Sequence, residues 1–378
     1  MLQIPFNKPY ISSKSVTHID KVFKSRKFSG DGPYTQEATR FVSNLHDNSP
    51  TLMTTSCTHA LELCSLLIDL AIGDEVIIPS YTFTSAAIAV SNFGATPVFV
   101  DVDSRTRNID TTKVVEAITP ATKAISFVNY AGQLADVLEL RRIADAHNLF
   151  LIEDNAHGFG IKSKLGTLGT FGDFSTYSFH ETKNFQCGEG GALVINNNNF
   201  VERAEILREK GTDRSKFFRG AVDKYQWVDK GSSYLPSELL MAVLLGQFEE
   251  FETIQNARIG IWNRYDNELR TWAHKQEFET MYVDLDRGQA AHMYYLIAPD
   301  LNQRQRLIEH LSSSGVSSVF HYKDLGGSIG GKKLGRTSSA TESSKLLSDR
   351  LLRLPLWYEM SDDECSYVIE AVKAFSTT

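Results

Sequence analysis

Cysteine is scarce. Cys57, Cys64, Cys187 and Cys365 are the only four in 378 residues. They are scattered, and no pair has C-x-x-C spacing. That speaks against a disulfide scaffold and a zinc site, and it fits a reducing compartment. No apolar run approaches the roughly 18 residues that a membrane helix requires. The opening Met1–Phe6 lacks the basic start and long apolar core of a signal peptide. The expectation is a cytoplasmic protein with no membrane partner. Excess positive charge is also missing: 39 Lys and Arg face 46 Asp and Glu, a net charge of −7. This argues against a protein built around nucleic acid or an anionic lipid surface, though a local basic pocket for a phosphorylated ligand remains open. No Gly-x-Gly-x-x-Gly follows the first strand, which disfavours a Rossmann oxidoreductase. Internal repeats are absent, and no metal site is expected.

What is present is an ordinary globular mixture, 42% hydrophobic and 22% charged, long enough for about two domains. The pattern divides near residue 250, into a large unit over 1–250 and a smaller α/β unit over 251–378. From about 50 to 200, short apolar strands alternate with helices of about ten residues. Strands are expected at Thr51–Thr54, Glu75–Pro79, Val98–Val100, Lys123–Val128, Leu149–Ile152, Phe174–Phe179 and Ala192–Ile195. Helices are expected over His59–Leu70, Phe83–Phe93, Thr111–Ile118, Val137–His147 and 200–209. This alternation specifies an α/β protein with a largely parallel sheet covered by helices on both faces. The stretch 211–234, rich in Lys, Arg and aromatics, reads as a long functional loop. One long helix is expected from Pro236 to about Arg270. In the C-terminal part, strands fall near Met293–Ile297 and Ser317–Phe320, Gly326–Ser339 reads as flexible, and Ser361–Glu364 is a capping box for the last helix.

In such sheets ligands bind beyond the carboxyl ends of the strands. The reactive side chains gather there: Thr54–Thr58, Ser80–Thr84, Asp154–His157 and Ser178–Lys183. Each has an ordinary role when taken alone. Asp154 can be an N-cap, Phe83 core, His157 structural, and Lys183 a solvated lysine. Together they match the needs of a flat, phosphorylated heteroaromatic aldehyde, pyridoxal 5′-phosphate (PLP). Lys183 supplies the amine for a Schiff base. Asp154, at the end of a buried strand, requires a cationic partner such as a pyridinium. Ser56, Cys57 and Thr58 open a helix whose N–H groups can meet a phosphate, with Ser178 adding a hydroxyl. Phe83 can cover the ring, and His157 can touch its face.

The chain is identified as resembling the DegT/StrS-type nucleotide-sugar aminotransferases, of the type I PLP-dependent transferase fold. Matching stretches are Ser56-Cys57-Thr58, Pro79–Phe83, Phe99–Val102, Asn108-Ile109-Asp110, Glu153–His157, Ser178–Asn184, Gly188–Gly191, His321-Tyr322 and Leu352–Leu356. The resemblance implies a three-layer α/β/α large domain and a smaller C-terminal α/β domain. It implies that Lys183 is the catalytic lysine and that Cys57, Thr58, Phe83, Asp154, His157 and Ser178 hold PLP, or its amine form PMP. Homodimers are implied too, with Ser233 and its neighbours reaching the partner's cofactor. His180, Lys216, Arg219, Lys224, Tyr225, His321 and Tyr322 are the expected substrate contacts. The tracts Phe217–Gly220, Lys224-Tyr225 and Gly231–Leu235 resemble a subgroup that moves the amino group of L-glutamate to C4 of a dTDP-4-keto-6-deoxyhexose.

Two departures stand out. Gly231–Leu235 replaces the Gly-x-Asn-x-Arg common in the family, and Asn129 replaces a common His. Three rivals remain: amination at C3, a sugar 3-dehydratase (which would carry His at position 183), and a non-catalytic relative serving regulation.

Overall fold

The computed structural model describes residues 2–377. The chain opens with α1 (Ser13–Ser25) and α2 (Pro33–Leu45), then enters the sheet with β1 (Thr51–Thr54). The expected alternation follows: α3 (Cys57–Leu67), β2 (Glu75–Pro79), α4 (Ser85–Ser91), β3 (Thr96–Val100), α5 (Thr111–Ala117), β4 (Thr122–Val128), α6 (Val137–His147) and β5 (Phe150–Asp154). A small hairpin, β6 (Lys162–Ser163) and β7 (Gly166–Thr167), precedes β8 (Phe174–Ser178) and β9 (Gly191–Ile195). After α7 (Val201–Arg208) and a short α8 (Arg214–Phe218) come α9 (Glu238–Phe248) and α10 (Phe251–Lys275). The C-terminal part holds β10 (Glu279–Thr280), β11 (Tyr294–Ile297), α11 (Leu301–Ser313), β12 (Val319–Phe320), α12 (Ile329–Leu334), β13 (Arg336–Thr337), α13 (Glu342–Arg350), β14 (Leu351–Leu354) and α14 (Asp362–Lys373).

The large sheet has eight strands in the order β1-β9-β8-β5-β4-β2-β3-β13, with β9 alone running against the rest. The period-2 geometry of a strand decides which face each residue serves. Val76 and Ile78 pack with α3 and α4, whereas Ile77 packs with α5 and α6. Leu193 and Ile195 join the first face, and Ala192 and Val194 turn to α2 and α9. Helices therefore bury both faces, giving the three-layer large unit. A second, antiparallel sheet, β10-β11-β14-β12, forms its own core with α10, α11 and α14. The Ser361 capping box at α14 is present, with both reciprocal bonds made.

Three stretches differ from expectation. The single helix over 236–270 is broken at Glu249-Glu250. The break lets Phe248 stack on Phe41 while Phe251 stacks on Phe185, so aromatic burial outweighs helix continuity. Gly326–Ser339 is not flexible: it forms α12 and β13. Leu325 N–H and Gly326 N–H bond to Ser80, and the Arg336 guanidinium grips Glu75 through two bonds of 2.6 and 2.7 Å. Glycine and serine there serve close packing, since a Cβ at Gly326 would stand 3.1 Å from Ser80 Oγ and 2.5 Å from the Thr337 methyl. The 211–234 loop carries α8 and folds back on itself, with Thr212 bridged to Trp227 and Gln226 N–H donating to Asp213.

Candidate active site

The carboxyl ends of β1, β4, β5 and β8 open on one cavity of about 490 Å³, reached also by the β2–α4 turn and by β14 of the second sheet. It lies where β2 and β4, whose sequence neighbours wind in opposite directions, stand side by side.

One end is an anion nest. The Ser56 hydroxyl caps α3 by accepting from His59 N–H at 3.1 Å. The Cys57 and Thr58 N–H groups, first in the helix, have no partner among the described residues. Thr58 Oγ1 lies 2.7 Å from Ser85 Oγ, and Ser178 pairs in register with Gly191 beside them. Gly191 must be glycine for a packing reason: a Cβ there would sit 2.4 Å from Ser56 C and 2.5 Å from Cys57 N. Strand β9 thus backs directly onto the nest.

The middle of the cavity holds Asp154, only 6% exposed at the end of β5. Its Oδ1 accepts from Ala156 N–H at 2.9 Å and faces the Cys57 thiol at 3.9 Å, while Oδ2 has no partner among the described residues. Burial raises its pKa, opposed by the Ala156 N–H and the charge of Lys183. A buried carboxylate with one free oxygen suits a protonated ring nitrogen. The neighbouring Glu153 is fully buried and accepts from Asn129 Nδ2 and the N–H groups of Gly169, Phe171 and Gly172. It fixes the strand end that presents Asp154, and Asn129, at the departure from the family pattern, is part of that scaffold.

Lys183 stands on the loop 179–190, folded back by Phe179 N–H to Gly190 O, Glu181 N–H to Gly188 O and Lys183 N–H to His180 O. Phe179 and Phe185 anchor the loop among Phe159, Phe248 and Phe251. The Lys183 amine makes no hydrogen bond or ion pair among the described residues and lines the cavity with Asp154. Burial lowers it to about 8, opposed by charge at Cys57 and Asp154 and reinforced by Arg353.

His157 stacks on His292 with ring centroids 4.5 Å apart. Its Nδ1 accepts from Ala131 N–H at 3.3 Å, so the neutral ring carries its proton on Nε2, which lies 3.3 Å from Tyr322 Oη. Burial holds His157 well below its usual pKa. Phe83 stands at the mouth, 57% exposed, its ring 5.9 Å from that of Tyr322. His180, His321 and Tyr322 also line the cavity, and the Tyr130 hydroxyl meets His321 Nδ1 at 3.1 Å.

Other expected contacts lie elsewhere in this chain. Arg219 and Ser233 line a separate open cleft of about 1480 Å³. Lys216 pairs with Glu202 at 2.6 Å and Arg219 with Glu205 at 2.8 Å, while Lys224 and Tyr225 are exposed. Sequence reasoning missed His292, Ser85 and Arg353. Arg353 had a signal, a lone cation inside the apolar run Leu351–Leu356. His292 had none, because nothing near it in the chain carries chemistry.

The fold and this cavity define a PLP-type aminotransferase. Residues 9–373 match the family model of the DegT/DnrJ/EryC1/StrS aminotransferases, and the chain belongs to that family. It is 29% identical over 378 residues to the spore coat polysaccharide biosynthesis protein SpsC of Bacillus subtilis, covering 98% of this chain and 96% of that one. A provisionally assigned sugar aminotransferase of Streptococcus pneumoniae, Spr1654, is 26% identical in its PMP form, with a TM-score of 0.89 and 98% of each chain covered. Its PLP form gives 27% and 0.88, again covering 98% of each chain. The aminotransferase TlmJ of Streptoalloteichus hindustanus superposes with a TM-score of 0.90 at 24% identity, over 99% of this chain and 98% of that one, a likeness of fold. The protein is a PLP-dependent aminotransferase, and the nest, acid and amine described above fit that cofactor.

Proposed function

We propose that this chain is a nucleotide-sugar aminotransferase that takes the amino group of L-glutamate and places it on C4 of a dTDP-4-keto-6-deoxyhexose. The product is a dTDP-4-amino-4,6-dideoxy sugar, galacto or gluco, destined for a cell-surface polysaccharide and made in the cytoplasm. The observation that carries the reading is the meeting of Lys183, Asp154 and the unpartnered N–H groups of Cys57 and Thr58 in one cavity. PLP, when bound, supplies the electron sink that acidifies the carbon bearing the amine.

The chain's residues do the rest. Cys57 and Thr58 N–H, with the Ser178 hydroxyl, bind the phosphate. Asp154 keeps the ring nitrogen protonated. Phe83 would stack on the ring, with His157 beside it. Lys183 Nζ, its pKa lowered by burial, moves the proton between the substrate carbon and cofactor C4′. His180, His321 and Tyr322 contact the substrate.

A homodimer completes the proposal. The 211–234 loop exposes Phe218, Trp227, Lys224 and Tyr225 on the surface, where Ser233 and the basic side chains would serve a partner's site. SpsC of Bacillus subtilis, named for spore coat polysaccharide biosynthesis, supports a role in surface sugars. The C4 choice rests on the subgroup tracts around Phe217, Lys224 and Gly231. Incubation with glutamate and a panel of keto-sugar nucleotides, followed by NMR of the product, tests it. An amine at C4 with 2-oxoglutarate released is expected; an amine at C3, or no transfer to any sugar, overturns it.

A further inference from the structure

His292 is a buried titratable group to which the roles above give no task. It lies just ahead of β11, is 2% exposed, and lines the active-site cavity from the second sheet. Its Nδ1 lies 3.0 Å from Asn184 Oδ1, and the neighbouring bonds settle which of the two holds the proton. Ala290 O can only accept, and it takes Gln255 Nε2 at 2.8 Å and Asn184 Nδ2 at 2.7 Å. Gln255 therefore turns its Oε1 to Asn184, where it accepts the second Nδ2 proton at 3.1 Å. With both amide protons spent, Asn184 offers only its carbonyl to His292. The His292 ring is thus a donor through Nδ1, and its neutral form carries no proton on Nε2. Burial, then the nearness of His157 and Lys183, holds it well below the usual histidine pKa, so the ring is neutral. Its backbone is clamped as well. Arg258, itself 3% exposed, donates from Nε to Ala291 O at 3.2 Å and from Nη2 to His292 O at 2.9 Å.

A ring pinned at its backbone and at Nδ1 can serve as a fixed wall. His157 lies against that wall, with centroids 4.5 Å apart and planes within 21° of parallel. A flat neighbour so close obstructs rotation of the His157 ring about χ2, the motion that would carry its two nitrogens to the wrong partners. His157 thus keeps Nδ1 at Ala131 N–H and its Nε2 proton toward Tyr322. The other contact of His292 reaches Asn184, which directly follows Lys183 in the chain. His157, Lys183, Asn184 and His292 border a void of about 10 Å³, room for one water at most, so the group is closely packed. Resting on the aminotransferase reading above, we infer that His292 is a positioning residue for that reaction: it holds the His157 ring in one orientation beside the cofactor and couples that orientation, through Asn184, to the backbone of Lys183. Both half-reactions use the same cofactor ring and the same amine. His292 therefore serves the glutamate step and the sugar step alike, and it contacts neither substrate.

Three substitutions dissect the two contacts. His292→Phe keeps a flat ring without the N–H, His292→Asn keeps an N–H near the Nδ1 position without the ring, and His292→Leu loses both. Each holoenzyme is mixed with glutamate in the PLP form and with keto-sugar nucleotide in the PMP form, and each single turnover is followed by the cofactor's visible band. His292→Leu should lower the limiting rate of both steps by about 10- to 100-fold, the scale of a small misplacement of reacting groups, with half-saturating concentrations changed less than about 3-fold. His292→Phe and His292→Asn should each recover part of that loss. Two further readouts do not depend on turnover. The visible circular dichroism of bound PLP, which reports how the ring is set in its chiral site, should weaken in His292→Leu. In histidine-labelled apoprotein, ¹⁵N NMR should show His157 as one Nε2-protonated species in the wild type and broadened by exchange in His292→Leu. Unchanged limiting rates in His292→Leu overturn the inference, and so does a rate loss with an unaltered His157 signal. A loss confined to one substrate and carried in its half-saturation also overturns it, making His292 a contact of that substrate. Should His292→Leu fail to fold, the Phe and Asn variants decide the matter by the same measurements. A wild-type protein without a borohydride-sensitive visible band would instead overturn the aminotransferase reading itself.

Discussion

Lys183 should capture an aldehyde at neutral pH far faster than an ordinary lysine. Burial in the cavity brings its amine to about 8, against a usual value near 10.4. At pH 7 about 10% of such a lysine is neutral, compared with about 0.04% of a free one, a reactivity gain of about 250-fold before any effect of position. The sign follows from which form reacts. Below pH 8 the ammonium dominates, and the rate should climb about tenfold per pH unit; above pH 8 it should level off. The neighbours give the profile a second handle. Asp154 favours the ammonium, so Asp154→Asn should move the midpoint down. Arg353 opposes it, so Arg353→Met should move the midpoint up. Recombination of apoprotein with PLP, followed by its visible absorbance between pH 6 and 10, gives the profile. Borohydride reduction and peptide mass spectrometry identify the modified residue. A midpoint above about 9.5 would refute the burial mechanism, and so would label on any lysine other than Lys183.

Gly191→Ala should push the Ser56–Cys57 backbone away from β9 and cost about 1–3 kcal/mol of stability by overpacking; cofactor affinity should drop more than the melting temperature alone explains, as read by fluorescence titration. Glu153→Gln turns an acceptor facing three N–H groups into a partial donor, and chemical denaturation should show a loss of about 2–3 kcal/mol. Phe248→Ala removes the ring that touches Phe41, Phe159 and Phe179 and should cost about 3–5 kcal/mol. In that variant the loop carrying Lys183 should also exchange its amide protons faster.

Much of the cavity was readable because its parts sit at strand ends, and strand ends follow from hydrophobic patterning. Asp154 closes an apolar run, Ser56 opens a helix, and Lys183 follows an aromatic strand. The β5 and β8 assignments were within two residues for the same reason. The failures have a common cause in tertiary context. Polar, glycine-rich 326–339 carries no periodicity, yet it becomes an edge strand because β3 offers unpaired backbone and Glu75 awaits Arg336. The break at Glu249-Glu250 has no proline to mark it; two phenylalanines three residues apart, both claimed by one aromatic cluster, produce it. His292 meets His157 only through the packing of the two sheets, a contact between residues 135 positions apart.

The two sheets are sewn together by the covalent chain several times over. It passes between them from Ile4 to Asn7, along α10, out to Leu134 and Lys164 through Asp286 and Arg287 and back to β11, from Phe320 to Leu325 beside Ser80, and from Thr337 back to Leu351. A single linker would allow the halves to swing apart like a jaw. These seams leave little rotational freedom, so admission of a bulky sugar falls to the rim of the opening, where Phe83 stands exposed. Replacing that one ring should therefore alter ligand entry rates more than any change made along the seams.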